Sequence, residues 1–300
     1  MAENENSKNP AHGLWSLTVR ELKKWYKNPI LLLMSVVIQP IIWLGLFGKA
    51  MNLGAIFTGS AITIPSIPGV PPQVMAQITQ ALSGLGTQLL QQTFGTSDYF
   101  SFMSVGMLSF IVLFTCMFSG MTIVWDRRFG ILNKFLSTPV ARSSIILSKI
   151  FNSVIRSLIQ AGIVLFLAYL LGLQLGPDFT IFSLLGVFAA LFLVSVGLSS
   201  IFILIAIRST KWETQMAVMN LLNLPLLFAS NALFPTSIMP DWLQTIAKVN
   251  PISYATDASR QLLIFPINVA TLTTDFAVLG LFAALFAGIG IVLSWRYLSR

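Results

Sequence analysis

Apolar residues occur in six long runs along this chain, separated by polar or proline-rich segments. A bilayer core about 30 Å thick needs about 20 apolar residues in a helix. Six segments meet that requirement, and we place the predicted spans at about 30–48, 99–125, 146–175, 179–207, 214–233 and 274–297. The pattern therefore predicts an all-α integral membrane protein with six transmembrane helices.

The segment before the first span has the pattern of an amphipathic helix. Apolar and aromatic residues recur on one helical face, and basic residues follow on another. The residues concerned are Trp15, Val19, Leu22 and Tyr26, and Arg20, Lys23, Lys24 and Lys27. Such a helix suits the headgroup plane of a membrane. We divide the chain into a tail and interface helix, residues 1–28, and a transmembrane domain, residues 29–300.

A short helix is predicted in the loop 126–145, between spans two and three. Its apolar positions follow a helical spacing and end at Thr138-Pro139, because the residue before proline avoids the helical region. The apolar stripe consists of Ile131, Leu132, Phe135 and Leu136. Either a partner covers this face, or the helix folds back onto the membrane surface.

Two further segments are predicted on the opposite side of the membrane. The loop 49–98 is long and includes a helical pattern near 73–92, whose apolar face lies on the membrane or packs on neighbouring loops. The segment 235–265 is broken by prolines into two short helical patterns, which predicts a re-entrant outer hairpin before the last span. Its marked residues are Pro235, Pro240, Trp242, Asn250, Pro251 and Arg260.

Composition and charge agree with a membrane protein. Only 9% of residues are charged and 55% are apolar, with a mean hydropathy of +0.81, whereas a soluble domain has about 25% charged residues. Fifteen of the 18 Lys and Arg residues fall on the side of the N-terminus, and three, Lys49, Lys248 and Arg260, on the other. By the positive-inside rule both termini are cytoplasmic. The net charge of +8 therefore reflects topology, and no nucleic-acid partner is expected.

The sequence offers little chemistry for catalysis. One cysteine, Cys116, and one histidine, His12, exclude a Ser-His-Asp triad within the membrane, a metal site built on cysteine or histidine, and an intramolecular disulfide framework. The only Gly-Lys pair, Gly48-Lys49, lacks the rest of a phosphate-binding loop. A secondary transporter or ion-efflux permease remains the alternative, although the uncharged span cores argue against it. Polar residues within spans line a translocation path or bond neighbouring helices: Gln39, Asn220, Asn223 and Asn231.

Two stretches carry a family resemblance. The loop WDRRFGILNKFLSTPVARS and the segment LFPTSIMPDWLQTIAKVNPISYATDASR resemble the cytoplasmic loop and the pre-terminal segment of ABC-2 type permeases, nearest to the daunorubicin-resistance type. The whole chain is similar to that family's plan, except that the outer loop 49–98 is longer than in many members.

The resemblance implies a function and an assembly. It implies the transmembrane permease of an ATP-driven exporter, moving a hydrophobic or amphipathic drug, lipid or lipid-linked molecule. It implies two ATPase subunits, which bind ATP and Mg²⁺, and a second permease copy or paralogue in a prokaryotic cell membrane. The loop after span two would couple to the ATPase through Asp126, Arg127, Arg128, Gly130, Leu132, Leu136 and Pro139. The interface helix would contact the same subunit through Trp15, Arg20, Lys23, Lys24 and Tyr26, and the outer hairpin would line the exit path.

Overall fold

A computed structural model describes residues 10–27, 38–46, 71–137, 142–209 and 211–298, and this described part is helical, without strands. The α-helices are α1 (Pro10–Tyr26), α2 (Gln39–Trp43), α3 (Pro72–Phe94), α4 (Tyr99–Arg128), α5 (Ile131–Leu136), α6 (Arg142–Leu170), α7 (Ile181–Arg208), α8 (Trp212–Phe228), α9 (Asp241–Ala247), α10 (Pro251–Leu263) and α11 (Val269–Leu298). A 3₁₀ turn at Thr236–Ile238 precedes α9.

Helix α4 is the centre of the fold. It is apolar all round and buried along nearly its whole length, as expected of a helix enclosed by others. Helices α6, α7, α8 and α10 pack against it. Two glycines permit the closest approaches: Gly120 lies against α7 and α8, and Gly106 lies against the backbone that follows α8.

Four helical stretches of the described part are long and apolar enough to cross a membrane: Pro72–Arg128, Ser143–Leu170, Ile181–Ile207 and Val269–Leu293. They overlap predicted spans two, three, four and six. Most of predicted span one lies outside the described residues, and only α2 represents it. Predicted span five corresponds to α8, which has 17 residues.

Helix α8 ends at Phe228, five residues before the predicted end of the span at 233. In the segment that follows, the carbonyls of Asn231 and Ala232 accept hydrogen bonds from the buried guanidinium of Arg260. A cation distant in the chain thus holds the backbone just after this helix.

The outer hairpin contains the two short helices that the prolines predict, α9 and α10. Asn250 joins them to the rest of the fold. Its side-chain oxygen accepts from the amide of Ile252 and caps α10, whereas its amide donates to the carbonyls of Leu226 and Ala229 at the end of α8. One side chain thus satisfies orphan groups at two helix termini.

Helix α3 confirms the helical pattern in the outer loop, but its apolar face is not packed within the described part of the chain. Five apolar side chains are exposed on it: Val74, Ile78, Leu82, Leu85 and Leu89. The helix is attached at its C-terminal end, where Phe94 meets the rings of Tyr99 and Phe102 edge-on.

Candidate functional site

A cluster of four charges, two of them buried, lies where α1, α4 and α6 meet. We name it the charge cluster and define it as Glu21, Lys24, Asp126 and Lys149. The Lys149 ammonium lies 2.5 Å from Asp126 and 3.9 Å from Glu21, and its side chain is only 3% exposed. Lys24 lies 3.1 Å from Glu21 and 3.9 Å from Asp126. Two carboxylates therefore balance two ammonium groups in a partly desolvated site.

Two cation–π contacts extend from this cluster. The Arg20 guanidinium on α1 lies 4.4 Å from the ring centre of Phe135 on α5. The guanidinium of Arg156 on α6 lies 5.4 Å from the ring centre of Trp25 on α1. Such contacts gain strength where water is excluded. The interface helix is therefore attached both to the short loop helix and to a long membrane helix.

Arg127 connects α4 to the end of α7. Its guanidinium donates to the carbonyls of Ile207 at 2.6 Å and Ser209 at 3.0 Å. These are terminal carbonyls that a helix leaves without partners. Asp126 and Arg127 are thus engaged within the chain, whereas Arg128, Phe129 and Lys134 are exposed. Phe129 is 71% exposed, so the loop presents a large apolar side chain outward.

The loop helix faces differently from the sequence-based expectation. Leu132, expected on a face that a partner or the membrane covers, is 5% exposed and packs in a cluster with residues of α4, α6 and α7. Gly130 has a φ of +68°, which an L side chain rarely adopts, and it makes the turn between α4 and α5. The side chain of Leu136 and all of Pro139 lie outside the described residues.

Helix α1 packs on the rest of the chain through a face other than the apolar one that the sequence places in the headgroup plane of the membrane. Thr18 and Trp25 are buried, while Trp15 and Tyr26 are 62% and 75% exposed, and Lys23 is exposed too. The reason is that α1 packs on α6, whose facing side carries Lys149 and Arg156. Sequence reasoning missed Glu21, Trp25 and Lys149. Two signals in the sequence could have led to the site: an acidic residue, Glu21, within the basic helix α1, and two cations, Lys149 and Arg156, within the apolar helix α6.

The polar residues predicted for a path fall in different environments. Asn220 is exposed on α8. Asn223 is buried, on the face of that helix that also carries Gln215, Met219 and Leu227. Asn231 is buried, and its amide donates to the Asp257 carboxylate. The side chain of Gln39 lies outside the described residues. Of the predicted path residues whose side chains the structure describes, Asn220 alone is exposed.

Arg260 is the polar centre of the outer hairpin. It is 2% exposed, lies over the ring of Phe102 at 3.4 Å, and donates to the carbonyls of Phe102, Asn231 and Ala232. Burial lowers the pKa of its guanidinium to about 9, against the opposing effect of the Asp257 carboxylate. Burial likewise raises the pKa of Asp257, although Arg260 and Asn231 counteract the change.

The remaining hairpin residues define its corners. Pro235 and Pro240 precede the 3₁₀ turn and α9, and Pro251 occupies the first turn of α10. Trp242 on α9 is 66% exposed. Prolines at these positions lack an amide that a helix start would leave without a partner.

Comparison with known proteins identifies the family. The model of the ABC-2 type transporter family matches residues 12–264. A putative transport permease, ycf38, of Cyanophora paradoxa is 32% identical over 248 residues, covering 82% of this chain and 72% of that protein. The daunorubicin resistance ABC transporter permease protein DrrB1 of Streptomyces coeruleorubidus is 26% identical over 168 residues, with 56% and 59% covered.

A third relative is also an ABC transporter permease. The probable multidrug ABC transporter permease YbhR of Escherichia coli is 25% identical over 199 residues, with 62% of this chain and 53% of that protein covered. Such permeases are the non-ATPase subunits of ABC transporters, and they associate with an ABC ATPase. The helical, multi-pass chain described above belongs to the ABC-2 type transporter family and is a membrane permease subunit.

Proposed function

We propose that two copies of this chain, or one copy and a paralogue, assemble with two ATPase subunits into an ATP-driven exporter. The ATPase binds ATP and Mg²⁺, and the permease holds no cofactor. The observation that carries this proposal is the charge cluster, which joins the interface helix α1 to α4 and α6, the two helices that the coupling loop connects. Both segments resemble parts that contact the ATPase in this family.

The conformational change of the ATPase would be transmitted to the membrane through the helices that the charge cluster connects. Glu21, Asp126 and Lys149 join α1, α4 and α6. Arg127 joins α4 to α7, and Arg20 lies over a ring of α5. A movement of the ATPase against the exposed Arg128, Phe129 and Lys134 would therefore displace several membrane helices at once. That arrangement suits a rigid-body movement of packed helices.

We infer the six-span topology from the same plan, with both termini cytoplasmic and the hairpin 235–265 outside. The loop 126–145 and the end of α7 then share the cytoplasmic side, as the contact of Arg127 with Ser209 requires. The distribution of Lys and Arg supports this orientation. The protein would reside in a prokaryotic cell membrane.

The translocation path would follow the exposed face of α8. This face combines apolar residues, Leu221, Leu224 and Phe228, with Asn220 and Glu213. A polar side chain on an exposed face at membrane depth favours a cavity or a protein contact over lipid. A mostly apolar path suits hydrophobic or amphipathic cargo, which is consistent with the drug-resistance relatives.

Charge reversal at the exposed part of the loop tests the coupling. We expect Arg128→Glu with Lys134→Glu to lower co-purification of the cognate ATPase at least about tenfold, because repulsion replaces attraction at the contact. Both side chains are exposed, so folding should survive. Co-purification and substrate-stimulated ATP hydrolysis are measured after co-expression.

The matched control keeps both charges, as Arg128→Lys with Lys134→Arg, and should assemble normally. A folded reversal variant that retains normal assembly and stimulated hydrolysis would contradict this coupling surface. Efflux that continues after ATP depletion, and stops when the membrane potential collapses, would instead support a secondary transporter.

A further inference from the structure

The outer hairpin encloses a small polar cavity that the proposed transport cycle does not use. It has a volume of about 180 Å³ and lies between the 3₁₀ turn, the end of α9 and the first two turns of α10. Its polar lining residues are Thr236, Gln244, Lys248, Ser253, Tyr254 and Asp257. Drug-sized ligands occupy about 300–1,000 Å³, so this cavity suits a small polar group and not a whole amphiphile.

Hydrogen bonds hold the walls of the cavity in place. The hydroxyl of Tyr254 donates to the carbonyl of Lys248 at 2.5 Å, which fixes the corner between α9 and α10. The amide of Gln244 donates to the carbonyl of Met239 at 2.8 Å. The cavity is therefore preformed, and little ordering is needed when a ligand enters.

Ser253 supplies a polar group without a partner. The residue is 6% exposed, and its hydroxyl has no hydrogen-bond partner in the described part of the chain. Buried hydroxyl groups in folded proteins ordinarily have one. Ser253 lines the cavity, and a rotation about its χ1 bond would offer this buried hydroxyl to a bound ligand.

The lining carries one charge of each sign. Lys248 ends α9, and Asp257 lies one turn beyond Ser253 on α10. One Asp257 oxygen accepts from Asn231, and the guanidinium of Arg260 is bonded to backbone carbonyls. A purely anionic ligand would meet the carboxylate, and a purely cationic ligand would meet the ammonium group.

We propose that this cavity binds a small zwitterionic group, an ammonium next to a phosphate or carboxylate. Lys248 attracts the acidic end, Ser253 donates its hydroxyl to an anionic oxygen, and Asp257 accepts from the N–H groups of the ammonium. The amine headgroup of a phospholipid and a free zwitterion share this chemistry. The site lies apart from the coupling loop, so its occupancy is measured without an ATPase.

Binding to the full-length chain in phospholipid-free detergent tests the proposal. We expect saturable binding of O-phosphoethanolamine by calorimetry and of phosphatidylethanolamine by native mass spectrometry. Inorganic phosphate, ethanolamine and phosphatidylglycerol should bind at least about tenfold more weakly, because each lacks one of the charges. Phosphatidylcholine should also bind more weakly, since its quaternary ammonium has no N–H to donate.

Two substitutions probe the lining without removing a native contact that the fold uses. Lys248→Gln, at an exposed side chain, should weaken binding about tenfold, and Ser253→Ala about fivefold. The matched controls are Asp241→Asn and Ser237→Ala, exposed hairpin positions outside the lining. Both should bind like the native chain.

The outcomes distinguish a lipid ligand from a soluble one, and they show when the proposal has failed. Binding of the phospholipid alone supports a lipid headgroup, and binding of the free compound alone supports a soluble zwitterion. Equal binding of phosphate or ethanolamine, unchanged binding by both lining variants, or no binding at all would overturn the site. None of these results depends on the coupling experiment.

Discussion

At the scale of single residues, the structure places its charges where they hold helices together. Lys149 and Arg260 are both buried, yet one is balanced by carboxylates and the other by backbone carbonyls. Breaking a buried pair costs more than replacing both members, because a charge left alone remains desolvated. The charge cluster allows this difference to be measured.

We expect Lys149→Met to destabilise the folded chain by about 3–5 kcal/mol, since it leaves Asp126 buried without its nearest cation. The double variant Lys149→Met with Asp126→Leu should recover most of that loss. Unfolding in detergent, followed by circular dichroism, gives both values. If the two substitutions are simply additive, the pair does not act as a unit.

The sequence predicted only some of the residues that form the charge cluster and the contacts around it. Asp126, Arg127 and Arg20 were singled out from the sequence, and all three make contacts between elements. Lys149 was not, because it lies at the start of an apolar helix, where a lysine ordinarily marks the membrane boundary. Its partner on α1 is distant in the chain, and no local pattern connects them.

At the scale of elements, long helices were predictable and their buried faces were not. Helices α4 and α11 are both strongly apolar, yet α4 is almost wholly buried, whereas few residues in the apolar stretch of α11 are buried. In a membrane, residues that face lipid and residues that face other helices are both apolar, so the periodic signal that marks a core face in water is lost. Only packing distinguishes them.

Adding one methyl group at Gly106 tests the close contact between α4 and the backbone after α8. At Gly106 an added Cβ would overlap the carbonyl oxygen of Ala232, close to the Arg260 guanidinium. We expect Gly106→Ala to lower the thermal unfolding temperature by at least about 5 °C or to prevent folding, because backbone cannot move aside cheaply. Size-exclusion chromatography and thermal unfolding provide the readout.

Gly280 is the matched control, since an added Cβ there meets no atom within 4 Å. Gly280→Ala in α11 should be neutral or slightly stabilising, as alanine favours a helix by about 0.5–1 kcal/mol over glycine. Equal behaviour of the two variants would show that the approach at Gly106 is looser than the structure has it.

At the scale of the whole molecule, α8 presents the surface that we expect to meet the second copy. Its outward face includes Leu221, 71% exposed, next to Asn220. Leu221→Cys should form a disulfide between copies under mild oxidation, visible as a dimer on a non-reducing gel. Leu285→Cys on α11, 51% exposed, is the control and should remain monomeric.

The native chain suits this experiment because its one cysteine, Cys116, is fully buried. It should not cross-link or react with water-soluble thiol reagents, so no background substitution is needed. Dimers formed by Leu285→Cys but not by Leu221→Cys would place the interface on α11 and remove the reason for a path along α8.

The double capping by Asn250 has a mechanical consequence. Because its amide bonds to the end of α8 and its oxygen caps α10, the two helix ends share one anchor and cannot move apart without breaking one set of these bonds. Helix α8 has 17 residues and is about 25 Å long, so a rotation of about 5° about its N-terminal end displaces its C-terminal end by about 2 Å. A small angular movement at the N-terminal end of α8 would therefore reach the hairpin 235–265 as a translation.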